Sequence, residues 1–181
     1  GNTLPREEGD EDGLRHKDAR VSSQEEQERW VYYPLYLLER EGSCLVNLSA
    51  PDADPTPQPI RLTLTFQVEP SDDNRFGSSA ELAELEELIV AFDAALKRAC
   101  GGIWVGQLRE PGTLSAFFYC VEPPAEPTRR ELELPLASKA FSIDIADDPD
   151  WQYYFEELVP TPLATLVRAL IHTPGLAAHA G

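Results

Sequence analysis

Residues 60–68 read Ile-Arg-Leu-Thr-Leu-Thr-Phe-Gln-Val, an unbroken alternation of apolar and polar side chains. Successive side chains on a strand point to opposite faces, so this segment is stable only as a strand with one face covered. Something apolar must lie on Ile60, Leu62, Leu64, Phe66 and Val68. The next regular segment supplies it. Across residues 79–100, Leu82, Leu85, Ile89, Phe92 and Leu96 recur at three- and four-residue steps and form one apolar helical stripe. Ser78 and Glu81 make a capping box, and Lys97 and Arg98 stand where the helix dipole favours cations. Gly101 is a natural stop. Glu84, Glu86 and Glu87 then read as the solvated face of that helix and not as a site.

The other elements follow from punctuation. Runs at Trp30–Leu38 and Cys44–Leu48 flank a turn containing Gly42, and Pro34 places the first run at a sheet edge or splits it. Residues 51–59 are a proline-rich loop. Runs at 103–108 and 114–121 flank Glu110-Pro111-Gly112 as a hairpin. Residues 123–139 read as a connection, 140–146 as a last alternating strand, and 149–158 and 162–172 as two short helices. The expected fold class is α+β: a largely antiparallel sheet of about five or six strands with helices packed on one face. The expected organisation is a charged tail over 1–28, an α+β domain over 29–162, and a C-terminal helix and end over 163–181.

Charge narrows the function classes. The formal net charge is −17, of which residues 1–29 contribute only −4, so most of the excess belongs to the folded body. A field of that sign repels phosphate backbones, which argues against nucleic acid and fits a basic protein partner. The apolar runs are too short to span a membrane. The N-terminal stretch has no apolar core of a secretory signal, which leaves the cytosol as the expected compartment. Cys44, Cys100 and Cys120 are odd in number and lack metal spacing, so they read as small buried hydrophobes.

Two places invite a functional reading. In Asp147–Pro160, Asp148 precedes Pro149 and reads as a helix N-cap, Asp150 falls in the first turn, and Trp151, Tyr154, Phe155 and Leu158 share one core-facing stripe. The competing reading makes Asp144, Asp147, Asp148 and Asp150 ligands for Mg²⁺ or Ca²⁺, or the carboxylates of a hydrolase. The D-x-D-x-D-G loop of an EF-hand is missing, however. His16, His172 and His179 fit no HExxH, and neither GxSxG nor a phosphate-binding glycine loop is present. No catalytic residue and no cofactor is therefore assigned. The second place is the aromatic group Trp30, Tyr32, Tyr33 and Tyr36, a candidate partner surface whose alternate members face the core if they lie on a strand. The adjoining sheet edge could also accept a partner strand. The leading expectation is a non-enzymatic acidic binding or regulatory module.

Several short motifs together carry a resemblance. They are Trp30 and Tyr33 opening the first strand, Val105-Gly106 leading to Phe117-Phe118-Tyr119, and the closing Asp148-Pro149-Asp150-Trp151 with Tyr154, Leu158 and Pro160. The chain resembles, over roughly residues 29–162, a bacterial family of uncharacterised proteins, some of which carry a module similar to regulator of ribonuclease E activity B. The resemblance implies a cytoplasmic α+β protein, and it supplies no catalytic residues. No stretch of these 181 residues is expected to match that second module, which weakens any carry-over to ribonuclease regulation, and the charged first 28 residues and the segment 162–175 lie outside the resemblance.

Overall fold

In the computed structural model, which describes residues 28–160, the alternating segment is β3 (Ile60–Gln67). It lies inside a six-stranded antiparallel sheet with β1 (Trp30–Pro34), β2 (Ser43–Asn47), β4 (Ile103–Glu110), β5 (Thr113–Cys120) and β6 (Phe141–Asp147). The strand order is β1-β2-β4-β5-β3-β6. Pro34 ends β1 at the sheet edge, where its missing N–H breaks no ladder, and the run continues as a 3-10 turn over Leu35–Leu38. The tail at 1–27 and the helix expected at 162–172 lie outside the described residues.

The long helix α1 (Ser79–Cys100) begins and ends as its sequence dictates. Ser78 Oγ accepts from the Glu81 N–H at 3.2 Å. Gly101 takes a left-handed φ of 61°, and the Gly101 and Gly102 N–H groups donate to Lys97 and Leu96 carbonyls, which closes the last turn. The stripe Leu82, Leu85, Ile89, Phe92, Leu96 buries against Leu62, Leu64 and Phe66 of β3 and Leu114, Ala116 and Phe118 of β5. The connection expected at 123–139 holds a further short helix, α2 (Glu126–Glu133). Only Leu132 of α2 is buried, so the sequence carries no apolar stripe to announce it. Pro127 in its first turn and the pairs Arg129–Glu133 and Arg130–Glu126 favour it locally.

The other sheet face has its own core. Tyr33, Cys44, Val46, Val105, Phe117 and Tyr119 pack there beneath Tyr154 and Leu158 of the closing segment. Helices and closing segment thus cover opposite faces; their cores share β5, but only the helix-side core takes in β3 and only the closing segment's core takes in β1 and β2. On the helix face one rung runs Tyr32, Leu45, Gln107, Ala116, Leu64, Ile143 across all six strands. Ala116 and Leu64 are fully buried under α1, whereas Leu45 is half-buried and Tyr32 is 64% exposed. The helix layer stops short of β1 and β2. No described helix is long and apolar enough to cross a membrane.

A β-bulge sits in β4 between Trp104 and Gly106. Residues 104 and 107 would fall on opposite faces of a regular strand; the extra residue returns both to the helix face.

Two turn glycines separate backbone freedom from steric fit. A Cβ on Gly42 (φ 126°) would stand 2.0 Å from the Arg109 carbonyl oxygen, while one on Gly112 (φ 82°) would meet nothing within 4 Å. Gly112→Ala is expected to cost about 1–2 kcal/mol, the left-handed penalty alone. Gly42→Ala must also push β2 off β4 and is expected to cost more. Urea midpoints of the two variants check this; equal losses would mean that β2 is not held against β4 as described.

Candidate functional site

The closing segment departs from the expected helix over 149–158. Residues 148–151 form a turn in which the Trp151 N–H donates to the Asp148 carbonyl at 3.1 Å, and Trp151 has a left-handed φ of 54°. Helical structure starts only at Gln152 and passes into a π-turn at Tyr154–Leu158. The reason lies in the ring of Trp151. It stacks on Tyr119 with centroids 4.3 Å apart, and its indole N–H donates to the Gln58 carbonyl at 2.9 Å. Seating the ring there costs the regular helix start. The wider π-turn also rotates Phe155 outward, so that it is 55% exposed instead of facing the core.

Asp148 is the cap that its sequence position suggests, displaced along the chain. It is only 7% exposed. Its Oδ1 accepts from the Gln152 N–H at 2.7 Å, and its Oδ2 accepts from the Tyr119 hydroxyl at 2.6 Å and the Tyr153 N–H at 3.0 Å. Arg61 stands 3.9 Å away and lies over the Tyr153 ring. Burial is the largest single influence on this carboxyl and opposes ionisation. The Tyr119 hydroxyl, the two N–H groups and Arg61 outweigh it together and hold the group below the usual carboxylate range. Burial and then the bond to Asp148 push the Tyr119 phenol above its ordinary range. Both Asp148 oxygens are thus spent on fastening the segment.

The other acids of the stretch do not join it. Asp144 is exposed on β6 opposite Thr63, Asp147 is exposed at the strand end opposite Ile60, and Asp150 is exposed in the turn. Among the described residues, no three His, Cys, Asp or Glu side chains group so as to hold a metal ion.

The aromatic group divides as strand geometry requires. Tyr33 turns into the core, where its hydroxyl donates to the Leu158 carbonyl at 2.7 Å. Tyr32 points to the helix face, and Tyr36, beyond Pro34, is 63% exposed. Trp30 packs on Trp104 with centroids 4.8 Å apart. These two indoles wall a cavity of about 310 Å³ beside the end of α1, with Glu28, Asp54, Asp93 and Lys97 around it. Further along the same face a cavity of about 110 Å³ is lined by Tyr32, Leu45, Gln107, Glu86 and Arg109. Between them Val90, on the α1 stripe that carries Glu86, Asp93 and Lys97, is also exposed. Both cavities lie between α1 and the uncovered β1–β2 margin, in a strip that we call the trough.

Asp93, Trp104 and Gln107 were not singled out by sequence. Gln107 carried the available signal: it is a polar residue inside the apolar run Ile103–Leu108, and it is buried.

The sequence profile of a family of unknown function (DUF695) matches residues 28–159. The chain belongs to that family. No curated protein and no solved structure matches it significantly. The matched span, 28–159, covers both the residues that line the trough and the closing segment of this chain.

Asp148→Asn puts an amide among three donors and is expected to cost about 2 kcal/mol at neutral pH. The carboxyl titrates lower in the folded chain than its unfolded value of about 3.9, so its contribution is complete above that value and is lost as pH falls through the folded one. The gap between wild type and variant should therefore narrow at low pH. Denaturant unfolding at neutral and at acidic pH checks the sign; a constant gap would deny the carboxylate this role.

Proposed function

We propose that this chain is a non-enzymatic, acidic binding module that docks a segment of a basic protein in the trough between α1 and the β1–β2 margin. The observation that carries the reading is the sheet face left bare there, floored by Leu45 and Trp104 and rimmed by Trp30 and Tyr32. Aromatic side chains at the centre of a recess are the usual anchors of protein partners. The charge of −17 and the acids Glu28, Asp54, Glu86 and Asp93 at the rim suit a basic partner, whose approach they would speed. Hydrolase or metal chemistry at Asp144, Asp147, Asp148 and Asp150 has less support, because the oxygens of Asp148 are engaged in holding the fold.

A reducing, cytoplasmic setting belongs to the same proposal. The three cysteines are buried and form no disulfide, and burial pushes the Cys120 thiol up to about 12.

The test is calorimetric titration of the full chain with a panel of basic peptides at low and high salt. Tyr32→Ala and Trp30→Ala should each weaken the best peptide about tenfold or more. Phe155→Ala, an exposed aromatic on the opposite face, should leave it unchanged. No binding at low salt, or equal losses in all three variants, would remove the reading.

A further inference from the structure

Resting on that docking reading, we propose that the trough takes an arginine side chain in the Trp30–Trp104 cavity and, two residues along the same extended segment, an uncharged hydrogen-bond donor at Gln107. The indoles set the first preference. Trp30 Nε1 donates to Glu28 Oε2 at 2.8 Å, and Trp104 Nε1 donates to the Gly106 carbonyl at 3.0 Å. With both N–H groups spent, what the pair offers a ligand is the negative face of its rings, which attracts cations. A planar guanidinium stacks on such a face better than an ammonium does. The surroundings have the same sign. Glu28, Asp54 and Asp93 oppose the single Lys97, and the carbonyl end of α1 adds partial negative charge. Burial first, and Glu28 with it, holds the Asp93 carboxyl above its usual range against Lys97 and the Trp104 backbone.

Gln107 supplies an independent sign of a ligand. It is 6% exposed, and its Oε1 has no hydrogen-bond partner among the described residues. A buried acceptor without a donor is costly, and the residue that carries it borders a cavity beside the trough. Arg109, held by Glu86 at 3.4 Å, borders that cavity and disfavours a second cation, so the donor that suits it is neutral. The bulge brings Trp104 and Gln107 to neighbouring rungs of one face, about 7 Å apart. Side chains i and i+2 of an extended peptide have the same spacing. The recognised pattern is then Arg-x-Asn, with Gln, Ser or Thr as alternatives to Asn.

The experiment follows the three indole N–H signals of the ¹⁵N-labelled full chain during titration with N-acetyl-arginine amide and, separately, its uncharged isostere N-acetyl-citrulline amide. The arginine probe should move Trp30 and Trp104, leave Trp151 still, and weaken about tenfold in Asp93→Asn. Equal movement with citrulline would overturn the cation subsite. Acetyl-Arg-Gly-Asn-amide should then bind more tightly than acetyl-Arg-Asn-Gly-amide, and Gln107→Leu should erase the difference. Equal affinity of the two in the wild-type chain would overturn the spacing without any variant having to fold. Indole signals that move with protein concentration alone would identify a second copy as the occupant and overturn the assignment to a basic partner. If basic peptides bind in a Tyr32-dependent way but the arginine probe is silent, this inference fails and the docking reading stands. If neither binds, both fail.

Discussion

A helix about 10 Å across cannot cover a sheet whose six strands span about 24 Å. That mismatch governs the molecule. The one long helix among the described residues lies on β5 and β3, where Leu62, Leu64, Phe66, Ala116 and Phe118 are fully or almost fully buried, and it meets β4 at its edge, at Trp104 and through the Glu86–Arg109 pair. α2 with its following turn contributes Leu132 and Leu136 to the same core. Nothing among the described residues lies over β1 and β2 on that face, so Tyr32 and Leu45 become walls of a recess where a larger helical layer would have made them core.

Strands bare on both faces would be poorly held, and the closing segment answers that need. It spans the opposite side of the same margin. The Tyr154 hydroxyl donates to the Asn47 carbonyl at 2.7 Å, while Tyr33 and Cys44 both donate to the Leu158 carbonyl. These bonds tie β1 and β2 to a segment whose own start is fixed by Asp148 and Tyr119. The left-handed Trp151 is a local cost, offset by its stack on Tyr119 and its bond to Gln58. Rigidity of the trough floor therefore depends on a carboxylate on the far side of the sheet. Asp148 thus acts as a support of the fold, through its bonds to Tyr119, Gln152 and Tyr153.

Elements with strict periods were legible in the sequence. The alternation at Ile60–Val68 and the stripe from Leu82 to Leu96 each bury one face along their whole length, so the covering requirement is written into every second or every third to fourth residue. α2 and the closing turn were not legible in the same way. Leu132 is a single buried side chain without a repeat, and the late helix start at Gln152 is set by a ring stacking on Tyr119, which is distant in sequence. The aromatic group was half legible: alternation on a strand separates Tyr32 from Tyr33, but which face the helix leaves bare is a property of sheet width. Asp93 looked like any other acid of a solvated helix face, and only the return of β4 beside the end of α1 gives it the indoles as neighbours.

The bulge in β4 is the least expected device and has the largest consequence for the trough. In a regular strand, Trp104 and Gln107 would point to opposite faces, and either the indole or the amide would enter the core around Tyr33 and Phe117. An amide there would be buried among apolar side chains with no cavity before it. Gly106 makes the bulge tolerable on the other face, since a Cβ at that position would come within 3.1 Å of both Leu158 and the Leu45 carbonyl. One inserted residue thus lets the closing segment approach closely on one side and sets an aromatic wall and a buried acceptor on neighbouring rungs of the other. Packing alone would be served as well by an apolar side chain at position 107; the amide oxygen there has no donor among the described residues, and it is the group that the proposed peptide would satisfy.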